Sequence, residues 1–186
     1  METLLSGSGL EILTLSDFPD ADLNVEETGC TYAENAEIKA LSALSSTGLV
    51  CISDDAGLEI DALDGQPGVY SKRFLGEKTS FPEKMKRIIE LLNETPDEER
   101  GCRFRCAVVI AAPDGTVIHC EGVCEGRIAR EIKGEYGFGY DPIFLLPEIG
   151  LHMAELEPEQ KHLISHRGRA LTVAREELKR LFALND

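Results

Sequence analysis

Apolar residues recur at two periods along the chain, and the switches between them mark out its elements. Over residues 31–47, Ile38, Leu41 and Leu44 fall on one helical face. Thr31 followed three places on by Glu34 matches a capping box, and Gly48 closes the segment, so a helix is expected there. Ser80 and Glu83 repeat the box, with Met85, Ile88, Ile89 and Leu92 at helical spacing behind them. Residues 10–15 (LEILTL), 49–53, 58–62, 102–111 and 116–128 read as strands. Pro113-Asp114-Gly115 joins the last two as a hairpin. Gly57 places Asp54 and Asp55 in a turn between the second and third strands. A short helix over residues 158–163 and a final one from Ser165, as N-cap, to about Phe182 complete the pattern.

Helices and strands alternate, while the hairpin excludes a purely parallel sheet. The expectation is an α/β fold: a mixed central β-sheet flanked by helices, with two lobes and a cleft, forming one domain over residues 1–186. An apolar fraction of 42% supplies the core. No apolar run approaches the roughly 20 residues of a membrane span, and no basic segment leads into a signal-like stretch, so a cytoplasmic protein without a membrane partner is expected. A net charge of −15 repels nucleic acid, and no basic stripe interleaved with aromatics opposes it. An anionic ligand must therefore be captured locally, with a divalent cation. Of the six cysteines, Cys102, Cys106, Cys120 and Cys124 form two C-x-x-x-C pairs. Zinc is one reading of these pairs; their place in β-patterned segments favours reduced, partly buried thiols instead.

Residues 53–74 (SDDAGLEIDALDGQPGVYSKRF) carry the strongest chemical signal. Two adjacent carboxylates at the end of an apolar strand, followed by a turn ending in bases, suit Mg²⁺ held against phosphates. An unpaired carboxylate is too costly to bury, so the pair is expected at an exposed strand end. One carboxylate then coordinates metal while the other braces the loop. Glu34 either closes its capping box or reaches a metal, and Lys39 is suited to an anion. The loop over residues 134–141 presents Tyr136, Phe138 and Tyr140 among three glycines. It either stacks on a flat base or tucks its rings inward. Ser165-His166-Arg167 opens the last helix, where N–H groups attract acceptors, and Lys161 lies just upstream. A Ser-His catalytic pair is disfavoured, because neighbours at a helix start diverge.

TYAENAEIKA at residues 31–40, the 53–74 segment, FGYDPIF at 138–144 and SHR at 165–167 together closely resemble the inosine triphosphate pyrophosphatase family. The resemblance implies Mg²⁺-dependent hydrolysis of ITP, dITP or XTP between the α and β phosphates, by a homodimer that cleanses nucleotide pools. It implies Asp55 as general base and metal carboxylate, and Glu34 as second metal ligand. It places Lys39 on phosphate, Ala56 beside the substrate, Phe138 stacked on the base with Gly139, Tyr140 and Asp141 alongside, and Lys161, His166 and Arg167 completing the nucleotide site. Arg167 is the candidate donor to the 6-oxo group. Family members begin with a strand and a T/S-x-N-x-x-K phosphate loop, whereas residues 1–9 here read as the end of the helix that follows. That departure implies an alternative, a catalytically impaired nucleotide-binding protein.

Overall fold

Helix α1 spans Tyr32–Thr47 because both its ends are chemically specified. Thr31 Oγ1 accepts from Glu34 N at 3.1 Å and Glu34 Oε2 accepts from Thr31 N at 3.2 Å, so the capping box forms. At the other end Gly48, at φ +70°, donates its N–H to Leu44 O at 2.8 Å. The buried face is Tyr32, Asn35, Ala36 and Ala40, whereas Leu41 of the expected stripe is exposed. Ala36 and Ala40 pack against Val109 and Ala111, since small side chains let a helix lie close to a sheet.

The computed structural model describes residues 5, 9–19 and 25–183. Helix α2 (Phe81–Leu91) carries the second capping box, α3 covers Pro158–Ile164 and α4 covers His166–Leu181. Among the described residues six strands form one sheet: β1 (Cys51–Ile60), β2 (Pro67–Gly68), β3 (Gly101–Ala111), β4 (Val117–Ile128), β5 (Phe144–Leu146) and β6 (Leu151–His152). Their order is β2-β1-β3-β4-β5-β6, with β1–β2, β4–β5 and β5–β6 antiparallel. The β3–β4 turn forms as expected, with Gly115 at φ +90° and Thr116 N donating to Asp114 Oδ1 at 2.9 Å. The helix-flanked sheet makes this the α/β architecture that the periodicities indicate.

The chain divides into two compact units. The first comprises Met1–Asp55, Cys106–Gly122 and Arg167–Asp186; the second comprises Ala56–Arg105 and Val123–His166. Leu58, Ile88, Phe104, Ile143, Phe144 and Met153 centre the core of the second.

Two expected elements differ. Residues 10–14 are not a strand, and Leu15–Asp17 forms a 3₁₀ turn. Asp17 Oδ2 takes both the backbone N–H and the hydroxyl of Thr14, at 2.6 and 3.0 Å, a local bond that competes with ladder pairing. Leu10 and Ile12 instead line an apolar cavity of about 560 Å³ with Val50, Ile52 and Leu178. The second difference is that β1 runs unbroken through Asp54, Asp55 and Gly57, where a turn was expected. Glycine permits a turn without requiring one, and the place of β1 beside β3 in the sheet keeps the backbone extended, β2 meeting only Leu58 and Glu59. Of residues 1–9, read above as a helix end, only Leu5 and Gly9 lie within the described residues, and Leu5 is helical and buried.

The cysteines are free, and the four in β3 and β4 are buried. Burial, with the Asp54 charge next in effect, pushes the Cys106 thiol up to about 12. Burial also holds Cys102 well above the ordinary thiol range. Both stay protonated at neutral pH, which suits packing rather than metal ligation.

Candidate functional site

Because β1 is extended, its successive side chains face opposite ways, and the Asp pair is split between two tasks. Asp54 Oδ2 accepts from Arg167 Nε and Nη2, each at 2.8 Å, and the Cys106 thiol lies 3.8 Å from the same oxygen. It braces the start of α4. Asp55 faces α1: Asn35 Nδ2 donates to its Oδ2 at 3.2 Å, and Lys39 Nζ to its Oδ1 at 3.3 Å. Lys39 also donates to Glu27 Oε1 at 2.9 Å.

Burial raises the Asp55 carboxyl above its usual range, outweighing the opposing pull of Lys39 and Asn35. For Lys39, burial pulls the ammonium down, but its bond to Glu27 and the charge of Asp55 win, and its affinity for a proton rises. Lys39 therefore stays charged. Glu34 spends Oε2 on the N–H groups of Cys30, at 2.6 Å, and Thr31, which leaves Oε1 outside the cap. Capping and ligation are thus compatible roles for one carboxylate. Glu27 and Asp55 share the ammonium of Lys39, while Asp54 pairs separately with Arg167. Two carboxylates on one ammonium leave a net negative charge at that point, which favours a cation.

In the second unit, the loop over residues 134–141 resolves its two readings by splitting its rings. Phe138 is 63% exposed, whereas Tyr140 is 3% exposed. The Tyr140 hydroxyl donates to Ser71 O at 2.8 Å, and its ring meets Phe81 edge-on with centroids 5.2 Å apart. Asp141 is buried and accepts from Phe138 N at 2.7 Å and from Lys161 Nζ. Lys161 Nζ lies 4.8 Å from the Phe138 ring centroid. Gly137 is required here: at φ +80°, a Cβ would stand 2.2 Å from Asp141 Oδ2. The result is a solvent-facing ring with an ammonium beside it, both fixed by one buried carboxylate. Gly139, at φ +66°, continues the turn. His166 is buried, its ring stacked on Phe104 at 4.7 Å, and Phe104 stacks in turn on Phe144 at 4.2 Å. Ala56 follows Asp55 in β1 and is half-buried.

The first unit thus contains Glu34, Lys39, Asp55 and Arg167, with Lys39 bonded to Asp55 and Arg167 to Asp54, and the second brings together Phe138, Asp141 and Lys161 beside Gly139. Sequence reasoning missed Asn35, Glu27, Ser71 and Phe104. For Asn35 a signal existed: a polar residue one place before Ala36 and five before Ala40, on the face those alanines bury.

A carboxylate held between an amide and an ammonium, and an exposed ring beside a second ammonium, are the chemistry of a nucleotide-handling α/β protein. The chain belongs to the Ham1 family, whose model matches residues 1–177. The dITP/XTP pyrophosphatase of Desulforamulus reducens is 48% identical over 179 residues, covering 96% of this chain and 89% of the relative. That of Vibrio parahaemolyticus is 49% identical over 173 residues, covering 92% and 86%. Among solved structures, a HAM1 protein from Coxiella burnetii superposes with a TM-score of 0.87 at 39% identity, covering 96% of this chain and 91% of its own. The nucleoside-triphosphatase, dITP/XTP pyrophosphatase, from Mycobacterium abscessus gives 0.74 at 42% identity, covering 89% and 87%.

Proposed function

We propose that this chain hydrolyses the deaminated purine nucleoside triphosphates ITP, dITP and XTP to the monophosphate and pyrophosphate. The observation that carries this reading is Asp55, a partly buried carboxylate clamped between Asn35 and Lys39, with Glu27 on the same ammonium. Asp55 acts as general base, orienting water and taking its proton, and Lys39 binds phosphate. Glu34 and Asp55 would hold Mg²⁺. Hard carboxylate oxygens suit it, and Mg²⁺ is commonly held by one or two carboxylates plus substrate phosphates. Among the described residues no group of three or more His, Cys, Asp or Glu side chains is placed to hold a metal ion. When bound, the ion neutralises the triphosphate and the charge that develops on it.

Phe138 stacks on the base beside Lys161, with Gly139, Tyr140 and Asp141 as its support and His166 completing the pocket. Arg167, oriented by Asp54, is the proposed donor to the 6-oxo group. Adenine presents an amino donor at that position and would leave the arginine unpaired, so ATP is disfavoured. The impaired-binder alternative loses support, since relatives named as pyrophosphatases share nearly half their residues with this chain across most of its length. Homodimerisation and a cytoplasmic setting belong to the same proposal and rest on family resemblance. Among the described residues no helix is long and apolar enough to cross a membrane.

Phe138→Ala tests the base platform. Loss of one stacked ring is worth about 1–3 kcal/mol, so KM for ITP rises about tenfold or more while kcat stays within about threefold. Steady-state pyrophosphate release over a range of ITP concentrations measures both. An unchanged KM would remove Phe138 from the site.

A further inference from the structure

Asn35 is fully buried on α1, among Tyr32, Ala36 and Ala40, where shape alone would be served by an apolar residue. Its amide instead spans two partners. Oδ1 accepts from Gly29 N at 2.8 Å, and Nδ2 donates to Asp55 Oδ2 at 3.2 Å. The chemistry of the partners fixes the amide's orientation, because a backbone N–H only donates and a carboxylate only accepts. Gly29 is matched to this arrangement, since a Cβ there would stand 2.7 Å from Asn35 Oδ1.

We propose that Asn35 is a positioning residue for Asp55, setting the carboxylate's rotation for the pyrophosphatase reaction. The inference rests on the functional reading above. Asp55 is held through both oxygens, Oδ1 by Lys39 and Oδ2 by Asn35, so losing either donor frees the carboxylate to rotate about its Cβ–Cγ bond. The two donors differ in kind. Lys39 brings a charge, whereas the amide orients the oxygen without adding one, and so fixes the direction of the base with less loss of proton affinity. Asn35 also ties Asp55 to the loop that Glu34 caps. Gly29 N bonds to the Asn35 amide, and the next two backbone N–H groups, those of Cys30 and Thr31, bond to Glu34. One short segment thereby sets the positions of both proposed metal carboxylates.

Asn35→Asp separates the two arms of the amide, keeping the acceptor for Gly29 while replacing the donor to Asp55 with a second acceptor. The expected result is a fall of about 100-fold in kcat for ITP, with KM within about threefold, because small misplacement of a reacting group costs that much. Its Tm falls by about 5 °C from carboxylate facing carboxylate. The second variant, Asn35→Asp/Asp55→Asn, exchanges donor and acceptor across the same contact. It is expected to be inactive and to regain most of that Tm. A folded Asn35→Asp protein with kcat within threefold of the native value overturns the proposal. So do Tm losses that simply add in the double variant. If Asn35→Asp does not fold, folding of the double variant supports the pairing and its failure to fold overturns it. The Tm comparison uses no substrate, so it stands apart from any failure of the pyrophosphatase reading, which unmodified protein inert towards ITP and XTP would reveal.

Discussion

Asp55→Asn is expected to lower kcat for pyrophosphate release from ITP by about 10³-fold or more, the range that loss of a general base produces. The amide has nearly the shape of the carboxylate but cannot take a proton from water. It also removes one of the two negative charges that face Lys39. Its single carbonyl oxygen can face Lys39 or Asn35 but not both, where the carboxylate serves the two at once. The fold survives, because the exchange is nearly isosteric and Asp55 lies within β1, which pairs with β3 in the sheet. Coupled pyrophosphate assay and circular dichroism on the same preparation separate the two effects. A folded variant retaining more than a tenth of native kcat would take the general-base role away from Asp55.

Arg100→Met is expected to be the most damaging change to stability. Arg100 is 1% exposed, and its guanidinium hydrogen-bonds to carbonyl oxygens rather than to a carboxylate. Nε donates to Ile128 O at 2.7 Å, Nη2 to Ala129 O at 3.1 Å, and Nη1 to Leu92 O. These carbonyls end β4 and α2, so one planar fork closes a helix C-terminus, where a cation is favoured, and a strand end together. Methionine fills similar space and leaves three buried acceptors unpaired, at about 1–3 kcal/mol each. A loss of about 3–6 kcal/mol is large against the roughly 5–15 kcal/mol that holds a domain folded, and lowers Tm by about 10 °C or more. Arg100→Lys keeps the charge but not the fork, and falls between the two. Thermal denaturation followed by circular dichroism measures both variants; a Tm for Arg100→Met within about 3 °C of native would contradict this account.

What the sequence disclosed was set by local chemistry. Thr31 with Glu34, Ser80 with Glu83, Gly48 and Pro113-Asp114-Gly115 each act within a few residues, and each formed as read. The path of β1 was not legible in this way. Asp54-Asp55-Ala56-Gly57 has the composition of a turn, and its place in the sheet beside β3 holds it extended. Continuity of that strand also explains the division of labour between the two aspartates, which the motif alone left open. Residues 10–15 show the reverse, a β-patterned run diverted by the bond from Thr14 to Asp17. In the candidate site, Asp55, Lys39, Phe138 and Lys161 could be named from residue type and motif. Their supports could not: Asn35 reaches Asp55 across 20 positions of sequence, and Tyr140 turns inward to Ser71 across 69. That Phe138 faces solvent while Tyr140 turns inward depends on left-handed backbone at Gly137 and Gly139 and on the buried Asp141, none of which spacing specifies.

The most direct test is pyrophosphate release by the purified chain from ITP, XTP, ATP and GTP in Mg²⁺, with orthophosphate measured in parallel. The account predicts pyrophosphate as the product, with kcat/KM for ITP and XTP about 100-fold or more above that for ATP, as a site built around a 6-oxo acceptor requires. Equal turnover of all four nucleotides, or release of orthophosphate in place of pyrophosphate, would contradict it.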